Sequence, residues 1–153
     1  MSRTVIRAAT LRDVDALVDL GRAMHAASRY AVYEYDAARA AAFARDFALD
    51  GRRTACIVSE QDGTISGMIA GEISSLMFSS LKVATDVIFY VAPERRGSTD
   101  ALRLVRALLQ WAKDQGAVEA SFATSTGVEV TRTARLYGRF GFRRVGAVFT
   151  MPL

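Results

Sequence analysis

The stretch from Asp86 to Gly116, DVIFYVAPERRGSTDALRLVRALLQWAKDQG, limits the choice of fold more than any other part of the chain. It opens with an apolar run, Val87 to Val91, rich in the β-branched and aromatic residues that suit a buried strand. Pro93 ends that run, because proline has no N–H to give to a ladder. A polar loop follows, Glu94 to Thr99, and then apolar residues return at helical spacing. Leu102, Val105, Leu108, Leu109 and Ala112 fall on one side, with Arg103, Arg106, Gln110 and Lys113 largely on the other. Gly116 is the expected stop. The spacing predicts strand, turn, helix.

That order has chemical content. The first turn of a helix carries N–H groups with no internal partner, together with the positive end of the helix dipole. Small residues in front let a phosphate approach those groups closely. Arg95 and Arg96 stand beside the turn, ready to neutralise phosphate charge. On these residues alone two readings stay open: an anion-binding turn, or an ordinary strand-to-helix connection with a Ser or Thr N-cap and surface arginines.

The 153 residues, 51% of them hydrophobic, suffice for one well-filled core and fall short of two ordinary domains, so one domain over 1–153 is expected. Charged residues at 24% exclude wholesale disorder. A net charge of +4 spread along the chain suits an anionic small ligand. No basic stripe interleaved with aromatics is present, so a nucleic-acid partner ranks last. The single cysteine, Cys56, sits in Ala55-Cys56-Ile57-Val58 and reads as a small core residue of a reducing compartment. Met1 to Arg7 lack the continuous apolar core of a secretory signal, and Ile65 to Leu81 is broken by Glu72 and several serines. No membrane partner and no metal site are expected, and the default is a soluble cytoplasmic protein.

Thr4 to Ala8 reads as a first strand, followed by a helix capped at Thr10 that carries Leu11, Val14, Leu17, Val18 and Leu20 inward to about His25. Ala26 to Tyr35 is irregular and holds three tyrosines, which suits a lid or acceptor-binding segment as well as simple ring packing. Asp36 caps an alanine-rich helix from Ala37 to about Leu49. Thr54 to Ser59 and Ile65 to Glu72 read as strands, and the Asp62-Gly63 pair between them is a strong hairpin signal. Gly67 and Gly71 in the second run predict a bulge or a close approach by another backbone. Ser74 to Val83 is a connection of undefined form. Ala117 to Thr124 predicts a strand, Val130 to Phe140 a helix, and Phe142 to Met151 a last strand. Strands and helices in this order predict a mixed sheet with helices on its faces, α/β or α+β.

This arrangement resembles the GCN5-related N-acetyltransferase (GNAT) family over nearly the whole chain. The family's acetyl-CoA signature, Arg or Gln, two residues, Gly, one residue, then Gly or Ala, is met by Arg96-Gly97-Ser98-Thr99-Asp100-Ala101. Arg96 and Ala101 fit, whereas Thr99 stands where the signature has glycine, a departure that bears on the loop's conformation. A second match is Leu136-Tyr137, three residues on, Gly141-Phe142. The combination also resembles a GNAT branch found in phages and prophages. The resemblance implies a central mixed, twisted sheet of about six to seven strands flanked by about four helices.

It also implies a mechanism and a site. Acetyl-CoA would lie where two parallel strands, Val87–Val91 and Val118–Thr124, splay apart. Open backbone groups near Phe89, Tyr90 and Val91 would pair with the pantetheine amides, and the N–H groups of Arg96 to Ala101 would hold the diphosphate. Arg95 and Arg96 would add charge, with Asp100 pointing away, and Ser125 could reach the cofactor from the other side or be a plain turn serine. Direct attack of an amine on the thioester would follow. Tyr137 matches the position that protonates the leaving thiolate, and Glu72 or Asp86 is the candidate general base, with His25 behind them. The acceptor would be a small-molecule or protein amine, and a homodimer is compatible with the fold. A catalytically inactive module that binds acyl-CoA or a protein partner is the alternative.

Overall fold

In the computed structural model, which describes residues 2–153, the Asp62-Gly63 pair closes the tightest turn of a single five-stranded sheet. Both residues have positive φ, 52° and 80°. A two-residue hairpin of type I′ needs that conformation to match the twist of its strands. The turn joins β2 (Thr54–Gln61) to β3 (Thr64–Ser75), which pair antiparallel. The other strands are β1 (Thr4–Ala8), β4 (Lys82–Val91) and β5 (Ala117–Ser121), and the sheet order is β1-β2-β3-β4-β5. Only the β4–β5 pairing is parallel.

Helices α1 (Val14–Ala27) and α2 (Ala37–Leu49) cover one face, and α3 (Asp100–Asp114) and α4 (Val130–Arg139) the other. Strand alternation divides the core accordingly. Val58, Met68, Ala70 and Tyr90 turn toward Leu17, Leu20 and Phe47, whereas Ile57 and Ile69 turn toward Leu104, Val105 and Leu108. Asp36 caps α2 as expected, its carboxylate accepting from the Arg39 N–H at 2.9 Å. At the start of α1 the work is done by Asp13, which accepts from the Thr10 N–H at 2.7 Å and pairs with Arg7 at the same distance. Cys56 is a buried core thiol, pushed up to about 12 by desolvation.

Two expectations are corrected. The described residues hold five strands, not six or seven, and Phe142–Met151 forms none. Phe142 turns inward against Phe122 and Tyr137, and the Arg144 guanidinium donates to the carbonyl of Gly146 within the segment. Val145, Val148, Phe149 and Met151 are exposed. A run with strand-like residues becomes a strand only where a neighbouring edge takes up its N–H and C=O groups, and here no ladder forms. The lengths of the inner strands differ as well. β4 begins five residues before Val87, and β5 stops at Ser121 because Phe122 leaves the sheet to pack on Tyr137.

Candidate active site

Parallel pairing of β4 with β5 runs only from Lys82↔Ala117 to Thr85↔Ser121. Beyond Thr85, β4 continues for six residues, Asp86 to Val91, with β3 on one side and, among the described residues, no strand on the other. The two strands therefore fork, with Asp86 at the apex. β4 also carries a bulge here: Ala70 faces Ile88 and Gly71 faces Asp86, so Val87 is the extra residue. The open side of β4 leads into a cleft of about 530 Å³ between β4, the start of α3 and α4.

The loop after β4 shapes the mouth of that cleft. Pro93 opens a single 3₁₀ turn, and Gly97 follows with φ +91°, a conformation other residues adopt only with strain. Thr99, at the signature's glycine position, has φ −82° and ψ 0°, the bridge region that the third residue of a type I turn occupies. The position therefore does not need the positive φ that would require glycine. Among the described residues no protein group accepts from the N–H of Gly97, Thr99, Ala101 or Leu102, whereas the Asp100 N–H is taken by Ser98 Oγ at 3.2 Å. Four unsatisfied donors meet at the positive end of α3.

Of the expected cofactor contacts, Phe89, Tyr90, Val91, Arg95, Arg96, Gly97, Ser98, Thr99 and Ala101 all line this cleft. Asp100 and Ser125 do not. The Asp100 carboxylate is fully buried and is gripped by Arg95 through two hydrogen bonds, 2.9 and 3.0 Å. That fork also raises the pKa of Arg95. Arg96 is held differently: its Nε donates to the Val91 carbonyl at 3.1 Å, and its guanidinium lies 5.5 Å from the centre of the Tyr90 ring. The Ser125 carbonyl accepts from Arg29 at 2.6 Å, and Thr126 accepts from the Arg29 N–H at 2.9 Å. These two bonds tie the segment after α1 to the loop after β5.

Sequence reasoning missed the wall that α4 supplies. Arg132, Arg135 and Arg139 all line the cleft, and Arg132 reaches to within 3.5 Å of where a Cβ on Gly97 would sit. Their i, i+3, i+7 spacing was the available signal, since it puts all three on one face of a helix.

Tyr137 is buried behind the cleft wall, its ring centroid 6.3 Å from that of Phe89, and neither it nor Asp86 is among the residues that line the cleft. Its ring packs on Phe122 and Phe142, with centroids 5.5 and 5.4 Å away. Among the described residues its hydroxyl has no partner at hydrogen-bond geometry. The Asp86 carboxylate faces that hydroxyl and accepts from the Ala123 N–H at 2.9 Å. Burial pushes Asp86 up to about 6, against the opposing pull of the Ala123 N–H and of Tyr137. Burial first, and then the charge of Asp86, push Tyr137 above the ordinary phenol range, so its proton stays in place at neutral pH. Glu72 is placed elsewhere. It faces Thr85 across β3 and β4, while Asp86 faces Gly71, so alternation sends the two carboxylates to opposite faces of the sheet. Glu72 is exposed. The His25 ring lies 5.2 Å from Tyr35, with its Nε2 buried and without a partner among the described residues.

A fork in a parallel strand pair, leading to a ring of free amides, is a particular arrangement. A family model described as the acetyltransferase (GNAT) family matches residues 16–142. The chain belongs to that family. Membership makes it an enzyme of the N-acetyltransferase class. Several solved structures share the fold at low identity. The ribosomal-protein-alanine N-acetyltransferase from Brucella melitensis biovar Abortus 2308 is 16% identical, with 99% of each chain covered and a TM-score of 0.74. The aminoglycoside N-acetyltransferase AAC(6')-Iy in complex with CoA is 18% identical, with 100% of this chain and 96% of that one covered and a TM-score of 0.80. A transcriptional regulator from Bacillus halodurans C-125 is 20% identical, with coverage of 99% and 100% and a TM-score of 0.79. No curated protein matches the chain in a sequence comparison.

Proposed function

We propose that the chain transfers an acetyl group from acetyl-CoA to a primary amine, carried by a small molecule or a protein, by direct attack on the thioester. The observation that carries this reading is the set of four unsatisfied N–H donors at Gly97, Thr99, Ala101 and Leu102, facing a cleft beside the open edge of β4. A diphosphate fits such a ring of donors at a helix start. An extended chain of amides fits an unpaired strand edge. Arg132 supplies countercharge, and Arg96 adds to it against the Glu129 carboxylate, which lines the same cleft and pairs with Arg96 at 3.4 Å.

Acetyl-CoA, when bound, supplies a carbonyl for the amine to attack and a sulfur that leaves as thiolate. The chain's own residues handle the protons. The Tyr137 hydroxyl holds the proton that the sulfur takes up. The Asp86 carboxylate takes the proton that the amine nitrogen gives up, and passes it back to the facing Tyr137 oxygen. Asp86 suits the role of base better than Glu72, because it stands at the apex of the fork and Glu72 lies on the other face. A base that titrates near 6 is mostly ionised at neutral pH and still basic enough to accept a proton.

Calorimetric titration with acetyl-CoA, followed by thiol-release assays against a panel of amines, tests the reading. One binding event per chain and thiol release with at least one amine are expected. Tyr137→Phe should slow turnover by about 10²-fold or more while leaving acetyl-CoA affinity unchanged. An unchanged turnover rate removes Tyr137 from the acid role, and binding without any thiol release leaves the inactive module.

A further inference from the structure

The cleft continues into a second groove of about 380 Å³ that runs down α3 toward its C-terminal end. Leu102 and Arg139 line both. Arg106, Lys113 and Arg139 place three cations along the second groove, over an apolar floor that includes Leu109 and Phe140. None of the three has an ion-pair or side-chain hydrogen-bond partner among the described residues. The one carboxylate bonded to a residue of this groove is Asp114, which accepts from Gln110 at 2.9 Å. Clustered like charges repel one another, and an anion seated among them relieves that repulsion.

We infer that Arg106 and Arg139, supported by Lys113, form a phosphomonoester site that reads the ribose 3′-phosphate of coenzyme A. The inference rests on the acetyl-CoA reading above and goes beyond it by assigning the far end of the cofactor. The diphosphate is already provided for by the free amides of the α3 start and by Arg132 above Gly97. Arg106 lies one helical turn, about 6 Å, beyond Leu102 along α3. A single ribose carrying phosphate at both its 5′ and 3′ oxygens bridges such a step. The site discriminates between coenzyme A and forms of it that lack the 3′-phosphate. It does so through charge-assisted bonds that a neutral hydroxyl cannot replace.

Calorimetric titration of the wild-type chain and of an Arg106→Gln, Arg139→Gln double variant, each with coenzyme A and with dephospho-coenzyme A, tests it. Both arginines are exposed, so the variant should fold, and an unchanged melting temperature checks this. The wild type should prefer coenzyme A by about tenfold or more. The double variant should lose that preference and bind the two ligands with equal affinity. Equal affinity of the wild type for both ligands, or a preference that survives in the variant, overturns the inference while leaving the acetyl-CoA reading intact. Binding of neither ligand by the wild type overturns both.

Discussion

As the proposed base, Asp86 would have opposite consequences for stability and for activity. The folded chain holds its proton up to about 6, whereas the unfolded chain releases it near 3.8. Between those values the folded state binds more protons, so stability falls as pH rises through that window. Activity that uses the carboxylate as base instead rises through about pH 6. Asp86→Asn should therefore melt at a higher temperature than the wild type above pH 6 and lose activity. A wild-type rate that stays flat across about pH 5 to 7 removes Asp86 from the base role. Arg95 shows what a sequence can and cannot disclose about a single side chain. Its place in the signature loop was legible, and it does line the cleft. Its partner was not legible, because which carboxylate meets a guanidinium is decided by tertiary packing. Asp100 is wholly buried, so Arg95→Ala should lower the melting temperature by several degrees through an unpaired buried charge. Combining it with Asp100→Leu, which removes that charge, should restore most of the loss. A double variant no more stable than the single one contradicts this.

The elements follow local chemistry where a turn or a periodicity decides, and depart from it where a neighbour decides. The Asp62-Gly63 hairpin and the amphipathic α3 were readable because their signals are short-range. Gly67 and Gly71 were readable in kind, and the structure supplies the cause: α3 lies directly on them. A Cβ at Gly71 would stand 3.0 Å from both a Leu108 methyl carbon and the Thr85 carbonyl oxygen. The backbone oxygen cannot swing aside, so Gly71→Ala should cost about 1–3 kcal/mol, read as a lower denaturation midpoint. A variant as stable as the wild type would mean that α3 sits further from the sheet. The Phe142–Met151 strand failed for the opposite reason. Its residues have the right propensity, but propensity does not provide a partner edge. The early start of β4 was hidden because Lys82, Ala84 and Thr85 are polar or small, and only their pairing with β3 and β5 makes them strand. The three α4 arginines read in isolation as a solvated face, until the fold turns that face to the cleft.

For the whole molecule, the sheet with helices on both faces matters chiefly for what it leaves undone. β4 and β5 part after Thr85, α3 begins with donors that no group among the described residues accepts, and α4 closes the other side with cations. Each feature costs the isolated chain something, through an unpaired strand edge, unsatisfied amides or crowded positive charge. One extended anionic ligand would satisfy all three together. Among the described residues, no helix is long and apolar enough to cross a membrane. The central claim is that the amides opening α3 hold the diphosphate of coenzyme A. A crystal structure of the chain grown with coenzyme A addresses it most directly. Diphosphate oxygens should lie within about 3 Å of the N–H groups of Gly97, Thr99 and Ala101, with the pantetheine arm along Asp86–Val91. A diphosphate bound elsewhere, with those amides left to water, would contradict it.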